Sequence, residues 1–142
     1  YLFGFPGLEH GGRQVSLLVA VHTEFAIELP SDPNVGGSTT FDGRLIKISP
    51  WILHNIEETI SALRHETAHR LVALAKLPGN AEHGLNFDMA LAAVSDTPDN
   101  DRYWWPRTEI EIARRQMHPG CKPLDVLPAG PLVKYRCGIG VE

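Results

Sequence analysis

The segment Arg64-His65-Glu66-Thr67-Ala68-His69 carries the side chains of this protein best suited to chemistry. On an α-helix, residues four apart sit one turn above each other on the same face. His65 and His69 can then aim two imidazole nitrogens at one point, within the ~2.0–2.1 Å that zinc requires. Glu66 projects about 100° further round the helix, near enough to touch a water on the metal without ligating it. This is the arrangement of a metal-assisted hydrolase, in which zinc acidifies a water and a carboxylate takes its proton. The competing interpretation is a solvated helix face with two surface histidines. A well-formed flanking helix and a further histidine downstream favour the metal.

The helix that must present this motif has clear ends. Asn55 suits the N-cap, and Glu58 three residues on can complete a capping box. Ile56, Ile60, Leu63, Leu71 and Leu74 fall on one stripe, interrupted at Thr67, which is expected to bury against a sheet and leave the histidine face on a cleft. Pro78-Gly79 is expected to stop the helix a little over two turns beyond His69.

Upstream, Gly36 to Phe41 reads as a strand, Asp42-Gly43 as a tight hairpin turn, and Arg44 to Ser49 as the returning strand closed by Pro50. Leu45, Ile46 and Ile48 form its apolar set. Residues 22–29 alternate polar and apolar, with Phe25, Ile27 and Leu29 expected to face inward. Pro30 to Asn34 is a turn cluster. Val15 to Val21 is a buried strand or short helix, and Tyr1 to Gly12 is irregular chain or an edge strand. Downstream, a second apolar helix is expected over Phe87 to Val94, a polar loop over Ser95 to Asp101, and a short helix over Thr108 to Met117. A final strand is expected over Pro131 to Cys137. These elements predict an α+β fold: one domain over residues 1–142, with a small, mostly antiparallel sheet packed on the histidine helix.

A catalytic zinc normally takes three protein ligands and keeps a fourth position open. Beyond His65 and His69 the candidates are Glu82, His83, Asp88 and, further off, His118. His83 lies just past the Pro-Gly break, where the reversed chain can pass back beside the helix. Gly84 would allow a close backbone approach or a positive φ, and Phe87 would anchor the next helix in the core.

The composition bounds the rest. The 142 residues are 43% hydrophobic and 21% charged, with a formal net charge of −4. That balance suits one globular domain and argues against a general nucleic-acid coat. No run approaches the ~18 apolar residues of a membrane span. The first residue is Tyr1 rather than Met, so processing is possible and the compartment stays open. His118-Pro119-Gly120-Cys121 has the spacer of a zinc knuckle, but with Cys137 it offers only three ligands where a closed site takes four. Cys121 and Cys137 are expected to be buried free thiols in a reducing compartment, or a disulfide in an oxidising one.

Gly36-Gly37-Ser38-Thr39, Leu45-Ile46-Lys47-Ile48-Ser49-Pro50, the His65 to His69 motif and His83-Gly84-Leu85-Asn86-Phe87 together resemble the SprT-like zinc metallopeptidase domain. That is the family of bacterial SprT and the eukaryotic Spartan protease. The resemblance covers Gly36 to about Val94 and implies a zincin-like catalytic core over residues 36–95. It also implies Zn2+ bound by His65, His69 and His83, and Glu66 as general base. Two departures stand out. Family members usually begin with a helix before the sheet, and many carry a four-ligand zinc ribbon after the core. Here Tyr135-Arg136-Cys137-Gly138 echoes one knuckle without any Cys-x-x-Cys pair, so a ribbon over 118–142 is degenerate or absent.

The expected function is therefore zinc-dependent hydrolysis of peptide bonds in a protein or peptide substrate, with Tyr103 and Tyr135 as guesses for oxyanion help. DNA association, and a cytoplasmic, nucleoid or nuclear location, follow from the resemblance alone. The first alternative is a non-catalytic SprT-like binding or assembly module that keeps the metal site. A zinc hydrolase acting on a non-peptide amide is a second.

Overall fold

The computed structural model describes residues 23–79, 83–102 and 107–122, together with the backbone of residues 136–139. Expectations for residues 1–22, Glu82, Tyr103, Tyr135 and the Cys137 side chain lie outside these residues. Within them the fold is α+β. Strands β1 (Glu24–Ile27), β2 (Val35–Thr39) and β3 (Leu45–Ile48) are followed by a 3-10 helix, Pro50–His54. Helices α1 (Ile56–Leu74), α2 (Leu85–Val94), α3 (Pro98–Arg102) and α4 (Thr108–Met117) come next, and β4 (Arg136–Ile139) last. No helix among the described residues is long and apolar enough to cross a membrane.

The hairpin forms where the turn chemistry predicts it. Gly43 takes φ 72°, a conformation that costs glycine little. The Asp42 carboxylate accepts from the Thr40 hydroxyl at 2.6 Å and the Arg44 amide at 3.0 Å, bonds that hold its pKa below the usual carboxylate value. A Cβ at Gly43 would stand 3.0 Å from the Arg70 carbonyl oxygen, so the turn is also where the sheet meets α1.

The sheet is mixed, in the order β1-β3-β2-β4, which corrects the mostly antiparallel expectation. Only β2 and β3 are antiparallel; β1 joins β3, and β4 joins β2, in parallel. A hairpin signal reports its own two strands, whereas the outer pairings are long-range and leave no local mark. Thr39 pairs with Ile46 and Gly37 with Ile48, which puts these four residues on one face, under α1.

A second correction concerns β1. Phe25 and Ile27 are exposed, at 63% and 65%, rather than turned into a core, and Leu29 is exposed too. Helix α1 packs chiefly on β2 and β3, the inner strands, and leaves these side chains of the edge strand uncovered.

The third correction is the face that α1 buries. Ile56 is 70% exposed, and Ile60 is also exposed. Leu71 of the expected stripe is buried, and Leu63 and Leu74 pack partly buried against the cores, but the rest of the buried face is Glu58, Ser61, Ala62, His65, Glu66, Ala68, His69, Arg70 and Val72. The motif face thus looks inward, because its polar groups find partners there, as buried polar groups must. At the N-terminus the Asn55 side chain accepts from the Glu58 amide at 2.9 Å. The reciprocal half of the capping box is missing: the Asn55 amide bonds the Ile52 carbonyl, and Arg107 engages the Glu58 carboxylate.

The other end of α1 departs from expectation as well. The helix closes at Leu74, well short of Pro78, in a Schellman motif. The Lys76 amide donates to the Ala73 carbonyl and the Leu77 amide to the Val72 carbonyl, with Lys76 itself at φ 55°.

Two buried clusters result. One joins the C-terminal half of α1 to α2 through Ala68, Leu71, Val72, Ala75, Phe87, Ala90 and Leu91. The other gathers Ile46, Ile48, Trp51, Ile52, Ala62, Ile110 and Ala113 from the sheet, the 3-10 helix, α1 and α4.

Candidate metal centre

His65 and His69 stand one turn apart on the buried face of α1, only 2% and 1% exposed. His83 reaches them from the chain between α1 and α2. Its Nε2 is 3.0 Å from the Nε2 of His65 and 3.0 Å from that of His69. The three ligand atoms lie within 4.8 Å of one another, close enough to hold one metal ion. Two nitrogens on a tetrahedral ion at ~2.0–2.1 Å would stand about 3.3 Å apart, so the spacing fits a shared ion with a slight opening of the triad.

The ring nitrogens facing away from this point are what set the ligating form. His65 Nδ1 lies 2.9 Å from the Asp101 carbonyl oxygen, which can only accept. The proton is therefore on Nδ1, and the Nε2 lone pair faces the centre. Burial pushes the His65 pKa down to about 3; the Asp101 bond opposes this, while His83 and Arg102 add to it. A neutral imidazole is the form a metal takes.

Beneath the triad lies Phe87, fully buried on α2, with ring centroids 4.9, 4.4 and 4.7 Å from those of His65, His69 and His83. The ring is the apolar floor that holds the imidazoles in register. Gly84, by contrast, has φ −90° and open space where a Cβ would stand, so neither expected reason for a glycine applies.

Glu66 is fully buried. The Thr39 hydroxyl donates to its Oε1 at 2.6 Å and lies 3.2 Å from its backbone oxygen, tying the end of β2 to the motif. Strand alternation held the signal for Thr39, a polar residue inward-facing between Gly37 and the hairpin, but its partner across the fold was not legible.

Helix α3 forms where the sequence predicts mostly a polar loop. Asp101 is fully buried; its carboxylate accepts from Arg64 Nη1 at 3.2 Å and from the Ser95 hydroxyl. Next to it, Arg102 Nη2 donates to the His83 carbonyl oxygen, and Arg102 Nε donates to Asp88 Oδ1 at 2.8 Å.

Of the other candidate ligands, Asp88 is thus engaged by Arg102. Neither it nor His118, the C-cap of α4, belongs to the metal group found among the described residues. Cys121 is a half-buried free thiol, with Arg114 Nη1 3.5 Å from its sulfur.

No family model, curated protein or solved structure matches this chain. The likeness to SprT-like peptidases therefore stands on its sequence motifs alone.

Proposed function

We propose that this protein is a zinc-dependent endopeptidase with a zincin-like core, in which His65, His69 and His83 bind the metal and Glu66 is the general base. The observation that carries the reading is the convergence of three imidazole Nε2 atoms on one point, with a buried carboxylate next in sequence to the first. Three neutral nitrogen donors are the ligand set of a catalytic zinc, which keeps one position for water or substrate. When bound, the zinc would polarise the scissile carbonyl and bring the pKa of a water towards ~7.

The chain's own groups do the rest. Glu66 takes a proton from the attacking water and delivers it to the departing amine. Thr39 holds one carboxylate oxygen, which fixes the rotamer of the base. Phe87 excludes water from beneath the imidazoles, and the Asp101 carbonyl keeps the His65 proton on the outer nitrogen. The substrate class is protein or peptide. Association with DNA is carried by the resemblance alone, and a net charge of −4 lends it no electrostatic support.

One observation favours a second reading, a non-catalytic module that keeps the metal. The Thr39–Glu66 bond gives the carboxylate a structural task, so its presence alone does not require catalysis. Glu66→Gln separates the two. The amide oxygen can still accept from Thr39, but the base is gone. On the peptidase reading, the zinc-loaded variant keeps its metal and cleaves an unfolded protein substrate roughly 10²–10⁴-fold more slowly. A parent chain that binds zinc and cleaves nothing supports the binding module; equal cleavage by both proteins removes Glu66 from the mechanism.

A further inference from the structure

We propose that Arg102 is a positioning residue for His83, and that α3 completes the metal centre by fixing two of its three ligands from behind. The inference rests on the reading of the three histidines as a metal site.

His69 is carried by α1, but His83 belongs to no helix or strand. Its position has to be imposed from outside. Arg102 does this with a planar fork: Nη2 donates to the His83 carbonyl oxygen and Nε to Asp88 Oδ1, in the first turn of α2. The two acceptors lie on either side of residues 84–87, so the guanidinium bridges the turn that carries His83 into α2. Two parallel donors in one rigid plane fix a direction as well as a distance.

The adjacent residue acts on another ligand. Asp101 offers its carbonyl oxygen to His65 Nδ1 at 2.9 Å. Its buried carboxylate is anchored by Arg64 and by Ser95, whose hydroxyl also accepts from the Thr97 amide. A five-residue helix has little stability of its own. These bonds hold α3 against the back of the site, and through it Arg102 and the Asp101 carbonyl.

A merely structural Arg102 would be a partly exposed ion pair with Asp88, worth little to stability and nothing to the metal. The two roles predict different measurements. Zn2+ affinity is measured on the full chain by chelator competition, and Co2+ absorption reports the ligand geometry. Arg102→Met is expected to bind both ions roughly 10–100-fold more weakly, with an altered Co2+ spectrum. Unfolding of the metal-free protein should change little. Arg102→Lys, which supplies a point charge without the fork, should recover only part of the loss. Asp88→Ala, at a more exposed position, removes the second acceptor and should give a smaller loss in the same direction, which guards against a misfolded Arg102 variant. Should Arg102→Met match the parent in both affinities and in the Co2+ spectrum, the proposal is overturned. So it is if Asp88→Ala leaves both unchanged while Arg102→Met fails to fold. A parent chain that takes up neither ion refutes the histidine site itself, and the proposal with it.

Discussion

The core around Phe87 is built from residues 68–91, one helix and its successor, whereas the core around Trp51 draws on residues from 46 to 113. Helix α1 runs through both. Its N-terminal half packs with the sheet, the 3-10 helix and α4, and its C-terminal half with α2 and, at Arg70, with the hairpin turn. The histidines are tied to the second of these: the Phe87 ring lies against all three imidazoles, and Arg102 and Asp101 brace them from α3. The Trp51 core orients α1 on β2 and β3 but supplies no ligand. The centre is thus set by one contiguous stretch, residues 65–102, with Thr39 the contribution from the sheet. Stability and metal binding should therefore be separable by mutation.

Phe87→Ala is the strongest way to test that separation. It should cost about 3–5 kcal/mol in the metal-free protein and also weaken zinc, because the floor of the triad is lost. Chemical unfolding read alongside chelator competition checks both. Ile52→Ala, fully buried in the other core, should cost about 2–5 kcal/mol and leave the zinc affinity of the folded protein unchanged. A loss of zinc as large as that of Phe87→Ala would break the comparison.

Gly43→Ala probes the contact between the hairpin and α1. Its φ of 72° and the Arg70 carbonyl oxygen 3.0 Å from a new Cβ both oppose the substitution. A thermal melt should show about 1–2 kcal/mol of destabilisation, with zinc binding retained. The smallest effect is a gain. Lys76→Gly relieves a lysine held at φ 55° in the Schellman turn, and should stabilise by about 0.5–1 kcal/mol in the same assay.

What the sequence disclosed follows the range of the interactions involved. The motif spacing, the Asn55 cap, the Asp42-Gly43 turn and the helix over Thr108–Met117 are local signals, and each forms where it was expected. His83 was the favoured third candidate, and its imidazole is the one that joins the pair. Ile56 and Ile60 misled because periodicity ranks apolar residues as inward, while Leu71 of the same stripe is buried and so are His65, Glu66 and His69, each with a hydrogen-bond partner. The parallel pairings of β1 and β4 depend on distant partners. Helix α3 was hidden twice over. Pro-Asp-Asn-Asp-Arg has the composition of a loop, and Asp101 reaches His65 through its backbone carbonyl, which no side-chain spacing can announce.

Metal stoichiometry tests the central claim most directly. The full chain, loaded with zinc and freed of loosely held ion, should contain one zinc by elemental analysis, and His83→Ala should lose it under the same wash. A parent chain that retains no zinc, or a His83→Ala variant that keeps a full equivalent, would contradict the assignment of His65, His69 and His83 as the metal centre.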